Sequence, residues 1–536
     1  MSTHTDLQTE PPNVLHGVAD PNSSYTTINL AEAMPGVATP LGWSIWGPPA
    51  DLAGRAPWAA LGAIDESEVT LPSDPSMLTV NVFYGRAATR VNFHCEMGDL
   101  VPGTSGTDLA RDAFGFVPPG FVSRPATHRH AIVAEKAPIA FAAVPDRVAA
   151  ARARTQAWVE EALRRIPNLD LDGARSQLAD ATERFSSNLI TAAVVIICGI
   201  QPAFTQLMQL AAKAGVDPGD LMRGHGSHEE TTMIEDLWLV SRDRMSLEEF
   251  TARHGYHGPF SGEISQRSWR EDPEPLVAIV DGYRGRPDDE DPVRAAEERS
   301  RAREAAERAL LDALPSAERP EAQVVLEQAG RYLPLRAVAK VAFLQSLDVA
   351  RAAARRVGQL LAESGVLADP DDVFYLTVGE ICGTMPDDAR ATVAERRELR
   401  ARYQELDLPT TWTGVPEPVR IAAQQSEDAT TLQGVGVSPG VVEGTARIVH
   451  DPAETDMEPG EILVGHTTDP SWASVMFLAS ALVVDIGGQL SHAAVVAREL
   501  GVPCVMNTGS GTRTLRDGDQ IRVDGGAGTV EIIARA

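Results

Sequence analysis

The sequence predicts a multidomain α/β protein in which a large, mainly helical (α+β) region precedes a small α/β domain. Three observations carry this reading. Long stretches between residues 146 and 363 place apolar side chains at helical intervals. After residue 433, short β-branched runs alternate with turns and two helix starts. Between them lies a stretch rich in Pro, Gln, Ser and acidic residues, 414–432, with the composition of a hinge linker.

In chain order, residues 1–24 are polar and Pro-containing and read as a disordered tail. The region 25–413 starts mixed: LTVNVFYGRAATRVNFHCEM, Leu78 to Met97, alternates as paired strands do. Helical periods then run over Asp146–Ile166, Asp172–Ala214, Val293–Leu314 and Pro320–Glu363. GRPDDEDP, Gly285 to Pro292, separates two helices, and the charged helix after it has only a narrow apolar stripe, as for one packed side and one wet side. In the domain 433–536, strands are predicted at Thr445–Val449, Glu461–Val464, Ala481–Asp485, Cys504–Asn507, Gln520–Val523 and Thr529–Ile533, with helices from Ser471 and Ser491.

Composition narrows the function classes. With 75 acidic against 47 basic residues the formal charge is −28, which repels nucleic acid and anionic membranes. Cys95, Cys198, Cys382 and Cys504 are scattered without a CxxC, so neither a disulfide framework nor a metal site is indicated. The polar N-terminus lacks a signal-peptide pattern, and the most apolar run, Leu189 to Ile200, is too short to span a bilayer before Pro202. These features point to a soluble, cytoplasmic protein.

The most informative segment is GGQLSHAAVVARELGVPCV, Gly487 to Val505. An apolar strand passes through Gly487 and Gly488, which permit a tight turn, to a helix start at Ser491 and His492. Ser491 is placed to cap that helix, leaving His492 exposed beside unpaired N–H groups and the positive end of the helix dipole. That setting disfavours imidazolium and welcomes an anion on the ring. A phosphoryl group is the natural candidate. The alternative is a helix-capping segment whose histidine has no special use.

The segment resembles the signature of the swivelling phosphohistidine domain of the PEP-utilising phosphotransferase family. So do GVGVSPGVVEGTARIV (Gly434 to Val449), TTDPSWASVM (Thr467 to Met476) and DGDQIRVDGGAGTVEII (Asp517 to Ile533), in the same order. The resemblance implies that His492 is the phosphorylated histidine and that Thr468, Ser491, Gly487 and Gly488 surround its phosphoryl group. It further implies that Arg498 and Glu499 recur in the pattern, where pairing on the helix surface is their expected role.

The helical region resembles the rifampin-phosphotransferase type. The segments are TTINLAEAMPGVATPLGWS (Thr26 to Ser44), FTARHGYHGPFSGEISQRSWREDPEPL (Phe250 to Leu276), RYLPLRAVAKVAFLQSLDVARAA (Arg331 to Ala353) and DDVFYLTVGEI (Asp371 to Ile381). His257 and Ser265 stand where that pattern has Arg and Asp, so the acceptor site is expected to differ in charge. No GxxxxGK[ST] loop is present. The arrangement resembles split phenylphosphate synthase and cresol-phosphorylating systems, which implies ATP and Mg²⁺ on a separate ATP-grasp subunit, no tightly bound cofactor on this chain, and a small, phenolic acceptor. A non-catalytic carrier or binding protein, or an antibiotic as acceptor, are the alternatives.

Transfer to a hydroxyl spreads negative charge over three oxygens and calls for cations. Arg336 and Lys340 share one helix face and match the family's Arg-x-x-x-Lys pair; they either meet the phosphoryl group or form a solvated basic face. His257 is a candidate base by its ordinary pKa, or a histidine satisfied by backbone. Glu263 either orients or deprotonates the acceptor, or pairs with Arg267, itself a candidate substrate contact. Trp43 and Tyr332, with Trp46 and Phe83, either line a ring pocket or belong to the core.

Overall fold

The computed structural model describes residues 13–28, 30–222, 224–225, 228–420, 430–452, 457–468, 470–488 and 491–536. The helical region is closed on itself by a small antiparallel sheet. Its strands β1 (Ser24–Thr26), β2 (Val80–Phe83), β3 (Arg86–Arg90) and β4 (Thr411–Thr413) run in the order β2-β3-β1-β4. The first and last segments of the region thus pair side by side, Tyr25 opposite Trp412.

Two sequence expectations fail here. The disordered tail through residue 24 does not hold for residues 13–24: Leu15 is fully buried with Tyr25, Phe83 and Tyr403, and Gly17 N–H donates to Val82 O. Apolar burial and a paired backbone outweigh the polar composition. Residues 1–12 lie outside the described set. Likewise, the strand pattern ends at Arg90, and Val91–Leu100 is a helix. Its alternation satisfies two helical faces at once, Val91 and Cys95 against Ala110 and Phe114, and Phe93 and Met97 against the main core.

The main core is a helix bundle. We label α1 (Pro40–Leu61), α2 (Leu171–Val195), α3 (Gln201–Ala214), α4 (His228–Ser241), α5 (Glu274–Arg284), α6 (Pro292–Ala313), α7 (Arg319–Tyr332) and α8 (Leu335–Glu363). Helix α8 lies along α2, which also packs on α1, and Ala350, Ala353, Ala354 and Val357 of α8 are fully buried. Small side chains let the helix backbones approach closely. Asn188 ties the bundle by donating to Thr155 Oγ1, Ser346 Oγ and Ala342 O. The stretch Leu171–Ala214 is long and apolar enough to cross a membrane by length and composition, and here Leu178, Ala181 and Phe185 are buried in the bundle core.

Proline breaks one helix that the periodicity makes continuous and only reshapes another. Pro202 has no N–H to donate, and the helix expected over Asp172–Ala214 runs on through a π-helical turn, Ile196–Ile200, that joins α2 to α3. Pro334 separates α7 from α8, which places Arg336 and Lys340 in the first turns of α8 with no acidic residue in its first turn. Two cations there oppose the helix dipole, so the end of α8 is electropositive.

The C-terminal domain is built on an eight-stranded sheet, with β5 (Thr431–Gln433), β6 (Val435–Ser438), β7 (Val441–Val449), β8 (Ile462–Gly465), β9 (Ala481–Val484), β10 (Cys504–Met506), β11 (Gln520–Asp524) and β12 (Thr529–Ala534) in the order β5-β12-β11-β7-β8-β9-β10-β6. Strands β7 to β10 are parallel neighbours and the flanking strands antiparallel. Strands β8 to β10 are buried along their length, as continuous apolar runs in a covered parallel sheet must be. Ile462, Val464, Ala481, Val483 and Val505 face one way, toward Leu515, Ile521 and Val530. Leu463, Leu482, Val484, Cys504 and Met506 face the other.

That second face belongs to a core shared by both regions. It continues through Trp472, Phe477 and Leu478 into Met233, Leu237 and Trp238 of α4 and Tyr283 of α5. The Phe477 ring lies 4.8 Å from Tyr283 and 6.1 Å from Trp238, and Arg286 donates to Phe477 O at 2.8 Å. The C-terminal domain is therefore seated on the helical region. Of the linker expected at 414–432, Val419–Arg420 pairs with Leu406–Asp407 and Thr431–Gln433 is already β5, while residues 421–429 lie outside the described set.

Candidate active site

The site forms at the carboxyl ends of parallel strands, where α/β sheets present loops to ligands. The loop after β8 carries Thr468, and the loop after β9 leads through Gly487 and Gly488 to helix α9, His492–Leu500. Asp485, fully buried at the end of β9, accepts from Thr508 Oγ1, Thr512 and the Gly511 N–H, anchoring the loop's start. Gly487 has φ +149°, and a Cβ there would sit 2.1 Å from Met506 Cε. Glycine is required at this turn. The Gly488 carbonyl accepts the Ser491 N–H at 3.0 Å.

His492 is buried, not exposed: 1 % of its surface is accessible, because the domain is seated with this residue turned into the helical region. Its Nδ1 lies 3.2 Å from Thr468 Oγ1, and its Nε2 lies 3.5 Å from Glu230 Oε1 with no hydrogen-bond partner among the described residues. Burial, then the charges of Lys340, Arg336 and His257, hold the His492 pKa well below 6.5. The ring is a neutral imidazole, the nucleophilic form.

Ser491 does not cap α9. Its backbone is extended as a cap residue's is, but its hydroxyl lies 3.1 Å from Met506 Sδ and bonds the Glu32 carboxylate. Glu32, from the helical region, takes the His492 N–H at 3.3 Å instead. A carboxylate is the stronger partner for a helix N-terminus, and it displaces the hydroxyl.

Arg336 and Lys340 face this cluster. Arg336 approaches Glu32 at 3.9 Å, and both cations act on His492, Glu32 and Glu230. Burial raises both carboxyl pKa values above the ordinary range, while the two cations pull against it. His257 is buried nearby, with Nδ1 unpartnered among the described residues. Burial, His254 and Lys340 drive its pKa well below 6.5, so the ordinary value that made it a candidate base does not apply. Among the described residues no cluster of three or more His, Cys, Asp or Glu is arranged to hold a metal ion.

The structure brings His492, Thr468, Ser491, Arg336, Lys340 and His257 together and leaves the other candidates elsewhere. Glu263 accepts from Thr39 N and Oγ1 and from Ser265 N and Oγ, fixing the start of α1 rather than pairing with Arg267. Arg267 is exposed. Tyr332 stacks on Phe141 at 4.1 Å and donates to its carbonyl, Trp46 donates to Gly262 O in the core, Phe83 is fully buried, and Trp43 packs between two core clusters. These rings are core. Arg498 and Glu499 do not pair on the surface: Arg498 donates inward to Val437 O, and Glu499 faces Arg299 and Arg303 of α6.

Glu32 and Glu230 are carboxylates beside His492 that the sequence did not single out. Glu32 lies within the Thr26–Ser44 segment but in no local pattern, and Glu230 sits beside Glu229 at a helix start, where acidic residues are routine.

Residues 457–528 match the PEP-utilising enzyme mobile domain, and residues 203–336 match the rifampicin phosphotransferase fourth domain. The first match contains Thr468 and His492; the second contains Glu230, His257 and Arg336. The chain is 36% identical to an uncharacterised protein of Mycobacterium tuberculosis over 53% of this chain and 30% of that protein. It is 32% identical to a rifampicin phosphotransferase of Streptomyces sviceus over 60% of this chain and 39% of the relative. With that of Bacillus subtilis the figures are 28%, 54% and 35%. The chain thus spans well under half the length of the curated relatives it matches.

Proposed function

We propose that the chain, which matches the PEP-utilising enzyme mobile domain over residues 457–528, is a phosphohistidine phosphotransferase component that relays a phosphoryl group on His492 to a hydroxyl of a small, phenolic acceptor. The observation that supports this most is the environment of Nε2: a neutral imidazole nitrogen, buried, without a hydrogen bond among the described residues, and beside Arg336 and Lys340.

In this reading Thr468 holds Nδ1, which leaves Nε2 to carry the phosphoryl group. The group then arrives at the electropositive start of α8, where Arg336 and Lys340 stabilise the charge that spreads over its oxygens during transfer. The seated domain corresponds to the acceptor side of the relay. ATP and Mg²⁺ are held by a separate ATP-grasp subunit, a reading supported by the resemblance to split aryl-phosphorylating systems. The overall products are then a phosphate monoester, AMP and phosphate.

The test is to incubate the chain with ATP, Mg²⁺ and a candidate ATP-grasp partner, then locate label by mass spectrometry at alkaline pH, where phosphohistidine survives. Label on His492 that moves to added phenols supports the relay. Normal turnover by His492→Ala, or turnover by this chain with ATP alone, would sink it.

A further inference from the structure

A small cavity of about 50 Å³ opens between the π-helical turn, the break before α8 and helix α9. Ile200, Pro334, Ala337 and Val495 give it an apolar wall, Arg336 and Glu499 also line it, and a further lining residue, Glu230, comes within 3.5 Å of His492 Nε2. We propose that Glu230 is the base that takes the acceptor's hydroxyl proton, and that this cavity seats the hydroxyl-bearing head of a compact, apolar alcohol or phenol. The inference rests on the relay through His492 and names the base and the seat that the relay requires.

Position selects among the carboxylates. Glu263 fixes the start of α1 through Thr39 and Ser265. Glu32 sits on the His492 backbone N–H at the N-terminus of α9, not on the ring. Glu499 lines the same cavity but faces Arg299 and Arg303. His257 is neutral but a weak base, its pKa driven far down by burial. Glu230 is the carboxylate that both approaches Nε2, at 3.5 Å, and lines the cavity. Burial also raises its basicity, while Lys340 and Arg336 oppose the rise. The π-helical turn that ends at Ile200 is a second sign, because such turns recur where a helix is reshaped around a functional site.

With Nδ1 protonated and donating to Thr468 Oγ1, the ring is an imidazolium while Nε2 bears the phosphoryl group. The acceptor O–H bond breaks with its proton passing to Glu230, and the acceptor oxygen forms the new bond to phosphorus. The Nε2–P bond breaks and its electron pair returns to Nε2. The products are neutral imidazole, a protonated Glu230 and a phosphate monoester dianion. The like charges of phosphoryl group and carboxylate turn Glu230 toward the cavity that it already lines, where the acceptor hydroxyl meets it.

The full chain, charged with phosphoramidate and with His492→Ala as the labelling background, tests this without a partner. Phenol and cyclohexanol are the probes, and phosphate monoester is followed by ³¹P NMR. Glu230→Gln should charge to the wild-type level yet discharge to the probes about 10²–10⁴-fold more slowly. It should also lose the rising limb of the pH–rate profile, which Glu230→Asp restores in part. Ala337→Phe, which fills the cavity, should raise the probe's KM without reducing the charge on His492. Discharge of Glu230→Gln at the wild-type rate overturns the base, and a charged wild type that ignores both probes overturns the acceptor class. Failure of His492 to take up any phosphoryl group overturns the relay itself.

Discussion

Glu32 caps the helix that begins at His492: its Oε2 accepts the His492 backbone N–H at 3.3 Å, across 460 residues of sequence. The seated state is thus stabilised by a carboxylate occupying the same helix terminus that favours a phosphoryl group. Glu32→Ala should weaken docking by about 0.5–2 kcal/mol, the usual range for losing a cap. Faster hydrogen exchange at the 492–495 amides is the measurement, and protection unchanged from wild type would show that the cap contributes nothing.

The two cations at the start of α8 should separate charging from transfer. Arg336→Ala and Lys340→Ala are expected to leave phosphorylation of His492 by the proposed ATP-grasp partner intact while onward transfer falls about 10²–10³-fold, the usual loss for one oriented donor. Rapid-quench kinetics of the two half-reactions distinguishes this from a general loss of folding. Transfer at the native rate would reduce the pair to a basic helix face.

Phe477 is the apolar anchor of the seated domain, packed against Trp238 and Tyr283 and under Arg286. Truncating a buried aromatic at such an interface typically costs about 2–4 kcal/mol. Phe477→Ala should therefore enlarge the molecule in small-angle scattering and slow transfer, with the isolated sheet still folded by circular dichroism. An unchanged scattering radius would contradict the anchoring role.

Docking should carry a protonation centred on Glu499. Burial pushes its pKa up to about 7 from an ordinary 4.5, against the pull of Arg299 and Arg303. Between those values the seated state holds a proton that the released state lacks, so this contribution to docking is full below 4.5 and is lost as pH rises through 7. His492 has the opposite sign, since its depressed pKa makes docking weaken as pH falls below 6.5. Glu499→Gln removes only the first term. The ratio of variant to wild-type docking constants, followed by interdomain fluorescence transfer from pH 5 to pH 8, should grow by tenfold or more across that window; a flat ratio refutes the assignment.

Much of the fold was legible locally. The strands β7 to β12 and helix α9 fall where apolar runs and glycines put them, because a buried parallel strand and a tight turn each need a distinctive residue type. Boundaries failed where one pattern served two structures: Val91–Leu100 alternates like a strand while filling two helical faces, and Pro334 interrupts a helix whose periodicity runs through it. Rings such as Tyr332 and Trp43 carry no local sign of whether they face ligand or core.

The sequence by itself marked out one residue and its immediate frame: His492, the glycines before it, Thr468 and the Arg336–Lys340 spacing are all local patterns. Tertiary structure alone decided what surrounds that histidine. Its burial, its depressed pKa, the cap from Glu32 and the approach of Glu230 all arise from seating one domain on the other. Desolvation and through-space charge depend on distance in the folded molecule, and residues 32, 230 and 492 have no short-range pattern to connect them.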